Sequence, residues 1–117
     1  MKQSEINSII ESTKKDLRNN ITDGFYHIQT GRAGSIYFIE NNCVVSFMTE
    51  MSGSEEYDLL VSGELEYISD RFDLRNSTHE ILPRKERKRI QKKLIEWLSN
   101  KKIRHDLHSD EWRPDFE

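Results

Sequence analysis

Asn41-Asn42 constrains this chain more than any other feature. The pair sits between two runs rich in β-branched and aromatic residues, 35–40 and 43–50. Asparagine tolerates the positive φ that a two-residue hairpin loop demands, so the segment predicts a tight antiparallel hairpin. Counting outward from the turn opposes Phe38 to Val45 and Ile36 to Phe47 on one face. Tyr37, Ile39, Val44, Ser46 and Met48 then line the other face. The first face is slightly the more apolar and is expected to be the core face. A slip of one residue would exchange the two, so this register decides what the rest of the chain must cover.

The neighbouring segments extend the pattern into a meander. Residues 25–29 form a short strand, joined to 35–40 through a Thr30-Gly31-Arg32-Ala33-Gly34 turn. After a turn at 51–54, residues 56–62 alternate Tyr57, Leu59 and Val61 with Asp58, Leu60 and Ser62, and Ser62-Gly63 leads into a further expected strand at 64–69. Residues 70–80 read as polar and irregular. Four to five antiparallel strands result.

Helices are expected at both ends. Ile6, Ile9, Ile10, Thr13 and Leu17 fall at helical spacing within 4–20, with Ser4 as N-cap and Glu5 in the first turn. Leu82-Pro83 opens a second helix, because the residue before proline avoids the α region and proline suits the first helical turn. Its stripe is Ile90, Leu94, Trp97 and Leu98, ending near Asn100. A last short strand is expected at 103–107 and a weakly ordered acidic tail at 110–117. The fold class is α+β: an antiparallel meander with both helices packed on one face, in a single domain over 1–117.

Composition supports one folded core. Leu, Ile, Val and Phe number 29 of the 117 residues, about 25%, above the roughly 20% below which highly charged chains stay disordered. No apolar run reaches the ~18 residues of a membrane span, and residues 1–10 lack a secretion-signal pattern, so no membrane partner is expected. The single cysteine, Cys43, has no internal disulfide partner, and a reducing, cytoplasmic location is the default expectation.

Chemistry-bearing constellations are sparse. His105, Asp106, His108, Asp110 and Glu111 gather metal-ligand types, yet His105 and His108 share a face only in a helix, and no third His or Cys stands at motif spacing. Two solvated histidines at a polar chain end are the simpler reading, so no metal is expected. The run 30–35 carries two glycines but leads into a strand and lacks the lysine of a phosphate loop. Cys43, His27 and His79 show no nucleophile motif. No cofactor and no enzymatic activity are expected.

Charge is the more informative pattern. The net charge is −3, but residues 84–104 carry a local +8, residues 40–80 a local −8, and residues 105–117 a local −4. Lys85, Lys88 and Lys92 lie opposite the apolar stripe of the second helix, flanked by Arg89 and Lys93. This basic face of helix 84–102 suits nucleic acid. Arg84 and Lys85 also occupy a first turn, where cations oppose the helix dipole, so either the chain's own acids or an anionic partner must lie close. The mirror feature is acidic: Glu50, Glu55, Glu56 and Asp58 around a Ser-Gly-Ser loop, with Glu64 and Glu66 beyond. Carboxylates on a rigid sheet can steer and dock a basic protein, such as the substrate groove of a nuclease.

Gly34-Ser35-Ile36-Tyr37-Phe38-Ile39-Glu40, the acidic strands through Glu64, and Ile90 to Leu98 with its Trp97-Leu98 ending resemble the small bacterial immunity proteins of contact-delivered and polymorphic toxin systems. The resemblance lies in size, charge and element order. It implies a non-catalytic inhibitor that binds a cognate toxin domain, with acids blocking a basic active site, and it transfers no individual functional residue. Nucleic-acid binding through the basic helix is the alternative.

Overall fold

The computed structural model describes residues 1–107. Helix α1 (Gln3–Asp16) leads into strands β1 (Gly24–Thr30), β2 (Ala33–Glu40) and β3 (Cys43–Met51), then the short β4 (Leu59–Val61). A 3-10 turn at Leu65–Tyr67, strands β5 (Asp70–Asp73) and β6 (Thr78–Ile81), and helix α2 (Arg84–Asn100) complete the order. The sheet runs β1-β2-β3-β5-β6, all antiparallel, while β4 pairs with the far half of β3. The α+β class with terminal helices around an antiparallel meander is the one expected, with six strands rather than four or five.

The hairpin register agrees with the count from the turn: Phe38 faces Val45, Ile36 faces Phe47, and Asn41 and Asn42 hold φ of 52° and 62°. The helices, however, lie on opposite faces of the sheet, not on one. Ile36, Phe38, Val45 and Phe47 pack with Ile90, Leu94 and Leu98 of α2. Tyr37, Ile39 and Val44 pack with Ile6 and Ile10 of α1 and with Leu17 beyond it. The cause is the near-equal apolarity of the two faces of β2 and β3. Each face needs its own cover, and each helix has one apolar stripe to supply it. At one end of the α2 side, Phe25 stacks between Phe38 at 4.6 Å and Trp97 at 5.3 Å.

Five local expectations change. The strand expected at 64–69 is the 3-10 turn: Leu65 and Ile68 are buried while Glu66 and Tyr67 are exposed, a spacing of three rather than two. The stretch 70–80 is a hairpin, β5–β6. The Asp73 carboxylate accepts the backbone N–H groups of Arg75 and Asn76 at 2.9 Å each, and Ser77 takes a positive φ of 55°. The expected strand at 103–107 shrinks to one parallel bridge between Leu59 and His105. There Arg104 O accepts the N–H groups of Asp58 and Leu59, and the Asp106 carboxylate accepts that of Val61. Helix α1 begins one residue before Ser4, with Lys2 as its N-cap, so Ser4 caps nothing. Pro83, similarly, stands at the N-cap of α2 in extended conformation. The acidic tail at 110–117 lies outside the described residues.

Candidate functional site

Helix α2 covers one sheet face along its length, but α1 covers only half of the other. At 14 residues it spans about 21 Å, and its apolar stripe sits over Ile39, Val44 and Phe72. The rows beyond it follow from strand register. Ile28 of β1, Ser35 of β2 and Met48 of β3 stand abreast on the α1 side, and the next row includes Ala33, Glu50 and Leu60. Met48 is 74% exposed in the body of the sheet. Ser8, Ile9, Ser12 and Thr13 of α1 face Ser35, Tyr37 and Ser46 across an open groove of about 230 Å³. The result is a shelf of small and thioether side chains beside a hydroxyl-lined groove.

The acidic residues frame this shelf unequally. Glu50 stands in it, and Glu55 and Glu56 are exposed in the loop that leaves β3. The Glu55 carbonyl accepts from Arg104 at 2.9 Å and the Glu56 N–H donates to the Ser54 hydroxyl at 3.1 Å, while the three carboxylates make no hydrogen bond or ion pair among the described residues. Asp58 does not belong with them. Its carboxylate receives the Arg104 guanidinium at 2.8 Å and 3.3 Å and the Arg104 backbone N–H at 2.9 Å. Those Arg104 bonds hold its carboxyl below the ordinary range. Asp58 thus anchors the segment after α2 against the outer edge of β4. Glu64 is half-buried just before the 3-10 turn, and Glu66 is exposed within it, beside Arg84 and Arg87 at the start of α2.

The basic helix is partly answered by the chain's own acids. Arg89 donates to both Glu40 oxygens, at 2.6 Å and 3.1 Å, and pairs with Glu86 three residues earlier. Arg71 on β5 donates to Glu80 at 2.5 Å and reaches Glu86 at 3.5 Å. Glu40, Arg89, Glu86, Arg71 and Glu80 therefore form one connected network that binds α2 to the sheet. Arg87 donates to the carbonyls of Leu82 at 2.8 Å and Leu65 at 3.3 Å, closing α2 onto the preceding turns. Two of the helix's guanidinium groups are thus structural. Lys85, Lys92 and Lys93 are exposed, and Lys88 is half-buried. Lys85, Lys88, Arg89 and Lys92 line a shallow groove with Pro83 and Glu86.

The remaining candidates separate. Cys43 lines a small cleft of about 190 Å³ with Arg71, Asp73 and His79, and burial followed by the charge of Asp73 pushes its thiol up, away from the reactive thiolate. His79 bonds Asp70 at 2.6 Å, and Asp70 also accepts the Ser69 hydroxyl at 2.6 Å. That order puts the acid in the middle, where it holds a hairpin end together and activates no serine. His27 bonds Gln29 on its own strand. His105 sits in the bridge to Leu59, its Nδ1 accepting the Leu107 N–H at 3.2 Å, while His108 lies outside the described residues. Among the described residues no three His, Cys, Asp or Glu side chains gather where they could hold a metal ion. No helix among them is long and apolar enough to cross a membrane.

The shelf escapes a reading of sequence, although its residues do not. Met48 shares the sheet face that α1 packs on, and only the length and position of α1 determine which rows it leaves open. The signal available was Met48 between Ser46 and Glu50, an apolar side chain on a stretch of face too polar to be core. Comparison with family models, curated proteins and solved structures finds no match for this chain.

Proposed function

We propose that the chain is a non-catalytic protein-binding module, acting as an immunity-like inhibitor that docks a basic partner, such as a bacterial toxin domain, on the open half of its sheet. The observation that carries this reading is Met48, 74% exposed on a rigid central strand and flanked by the exposed carboxylate of Glu50. Stable protein interfaces combine an apolar centre with a polar rim, and methionine adapts to irregular partner surfaces. Here Met48, Ile28 and Leu60 supply the centre, and Glu50, Glu55 and Glu56 an acidic rim. The sheet holds these groups in fixed register, so docking orders few side chains.

The acidic rim is revised from the full set of Glu50, Glu55, Glu56, Asp58, Glu64 and Glu66 to the first three. Asp58 serves the fold through Arg104, while Glu64 is the N-cap of the 3-10 turn and Glu66 lies within it. The test is capture from cells that carry the chain, comparing wild type with the triple variant Glu50→Lys, Glu55→Lys, Glu56→Lys. A basic protein retained by wild type and lost by the variant is the expected result. Retention by both sinks the surface.

Nucleic-acid binding keeps a narrower footing in the exposed Lys85, Lys92 and Lys93. It predicts retention on DNA or RNA at low salt that falls steeply as salt rises.

A further inference from the structure

The sheet has three edges, and two are managed. The outer side of β4 is covered by Arg104 to Asp106, and β6 is four residues long and carries His79 and Glu80. The third edge, β1, is seven residues long with the sequence Gly-Phe-Tyr-His-Ile-Gln-Thr. In a chain that is 33% charged it carries no Asp, Glu, Lys or Arg, no proline and no bulge in its pairing with β2. Those are the devices by which edge strands resist pairing, and β1 has none of them.

The side of β1 that is open follows from its turn. Thr30 and Ala33 close a two-residue loop and so form a hydrogen-bonded pair, as do Ile28 with Ser35 and Tyr26 with Tyr37. Phe25, His27 and Gln29 therefore turn their N–H and C=O groups outward, and among the described residues none of these groups has a partner. We infer that β1 pairs antiparallel with β1 of a second copy of this chain, about a two-fold axis at His27.

Self-complementarity argues for a second copy. A two-fold at His27 sets Phe25 opposite Gln29 and Tyr26 opposite Ile28, keeps each sheet face continuous, and lines up six backbone hydrogen bonds from the three outward residues of each strand. Tyr26 opposite Ile28 is an aromatic and β-branched pair of the favourable kind, and both already pack against the α1-side core. No like charges oppose one another, and one closed two-fold contact consumes the open edge on both copies.

The test is sedimentation of the full chain from about 5 to 500 μM, a range that brackets weak specific dimers. Wild type is expected to pass from monomer to dimer, and His27→Lys, which opposes two ammonium groups at the axis on an exposed position, to weaken dimerisation at least about 10-fold. In a Cys43→Ser background, H27C is expected to form a disulfide-linked dimer under mild oxidation. Its Cα atoms would lie about 5.5 Å apart, within disulfide range. T30C, whose residue opposes Gly24 rather than itself, is expected not to. A monomer at every concentration overturns the inference, including one that binds another protein's strand at this edge. So does a dimer that His27→Lys leaves intact or that H27C does not bridge.

Discussion

Arg89 on α2 grips both carboxylate oxygens of Glu40 at the end of β2, at 2.6 Å and 3.1 Å. The segmental opposition of charge along the sequence is thus settled in part inside the fold, where a basic helix meets an acidic strand end. The Arg89 hydrogen bonds hold the Glu40 carboxyl below its ordinary range. A carboxylate whose folded pKa is depressed contributes stability above its unfolded pKa and loses it as pH falls through the folded value. Glu40→Gln is therefore expected to cost about 1 kcal/mol at pH 7, the upper end for a partly exposed two-pronged pair, and almost nothing at pH 2–3. Urea unfolding of both proteins across that pH range checks it.

Tyr37 donates to Asp16 at 2.5 Å, linking the centre of the sheet to the end of α1. Burial, then the Asp16 hydrogen bond and charge, push its hydroxyl up to about 12 from 10.0. The neutral phenol is the favoured form in the fold, so its contribution is complete below pH 10 and disappears as pH rises through 12. Ultraviolet titration is expected to show one of the four tyrosines ionising well above the others, and Tyr37→Phe to remove that step.

Gly34 is the place where a side chain crosses the sheet. The Gln29 amide carbonyl passes over it to accept the Thr49 hydroxyl at 3.0 Å. A Cβ at Gly34 would stand 2.5 Å from both the Gln29 Oε1 and the Ile28 carbonyl oxygen, the latter being backbone that cannot swing away. Gly34→Ala is expected to lose about 1–3 kcal/mol in denaturant unfolding, as overpacked sites do. Pairing Gly34→Ala with Gln29→Ala relieves only the side-chain clash and is expected to recover part of the loss.

Two residues on facing strands, Ile36 and Met48, test the division between core and shelf. Ile36 is 0% exposed beneath α2, and truncation to alanine is expected to cost about 2–5 kcal/mol. Met48→Ala, on the open half of the opposite face, is expected to stay within about 0.5 kcal/mol of wild type. Thermal and urea unfolding of the two variants check the contrast.

Much of the fold was legible because local signals agreed. Asn41-Asn42 specified the central register, and the stripes of Ile6, Ile10 and Leu17 and of Ile90, Leu94 and Leu98 specified two helices. The placement of those helices was not legible, since Tyr37, Ile39 and Val44 rival Ile36, Phe38 and Phe47 in apolarity and pattern alone does not say that both sets are buried. The β5–β6 hairpin was hidden for another reason. Phe72 is the one buried residue of its two strands, and its turn depends on the Asp73 side chain bonding to backbone rather than on an Asn-Gly or Gly-Gly pair. Of the candidate site, Glu50, Glu55 and Glu56 were visible as a charge cluster. Asp58 looked identical until Arg104, 46 residues later, was seen to hold it.

On the proposed reading, a basic protein docks on the shelf at Met48 and Glu50, not on the α2 lysines. The decisive measurement is the dissociation constant, by calorimetry, of the partner captured from cells that carry the chain, for two folded variants. Met48→Lys with Glu50→Lys is expected to weaken binding by about 100-fold or more, as loss of an interface centre does. Lys85→Glu with Lys92→Glu and Lys93→Glu is expected to change it less than about 3-fold, the range for a site outside the contact. Tight binding that survives the first set and collapses with the second would contradict the account.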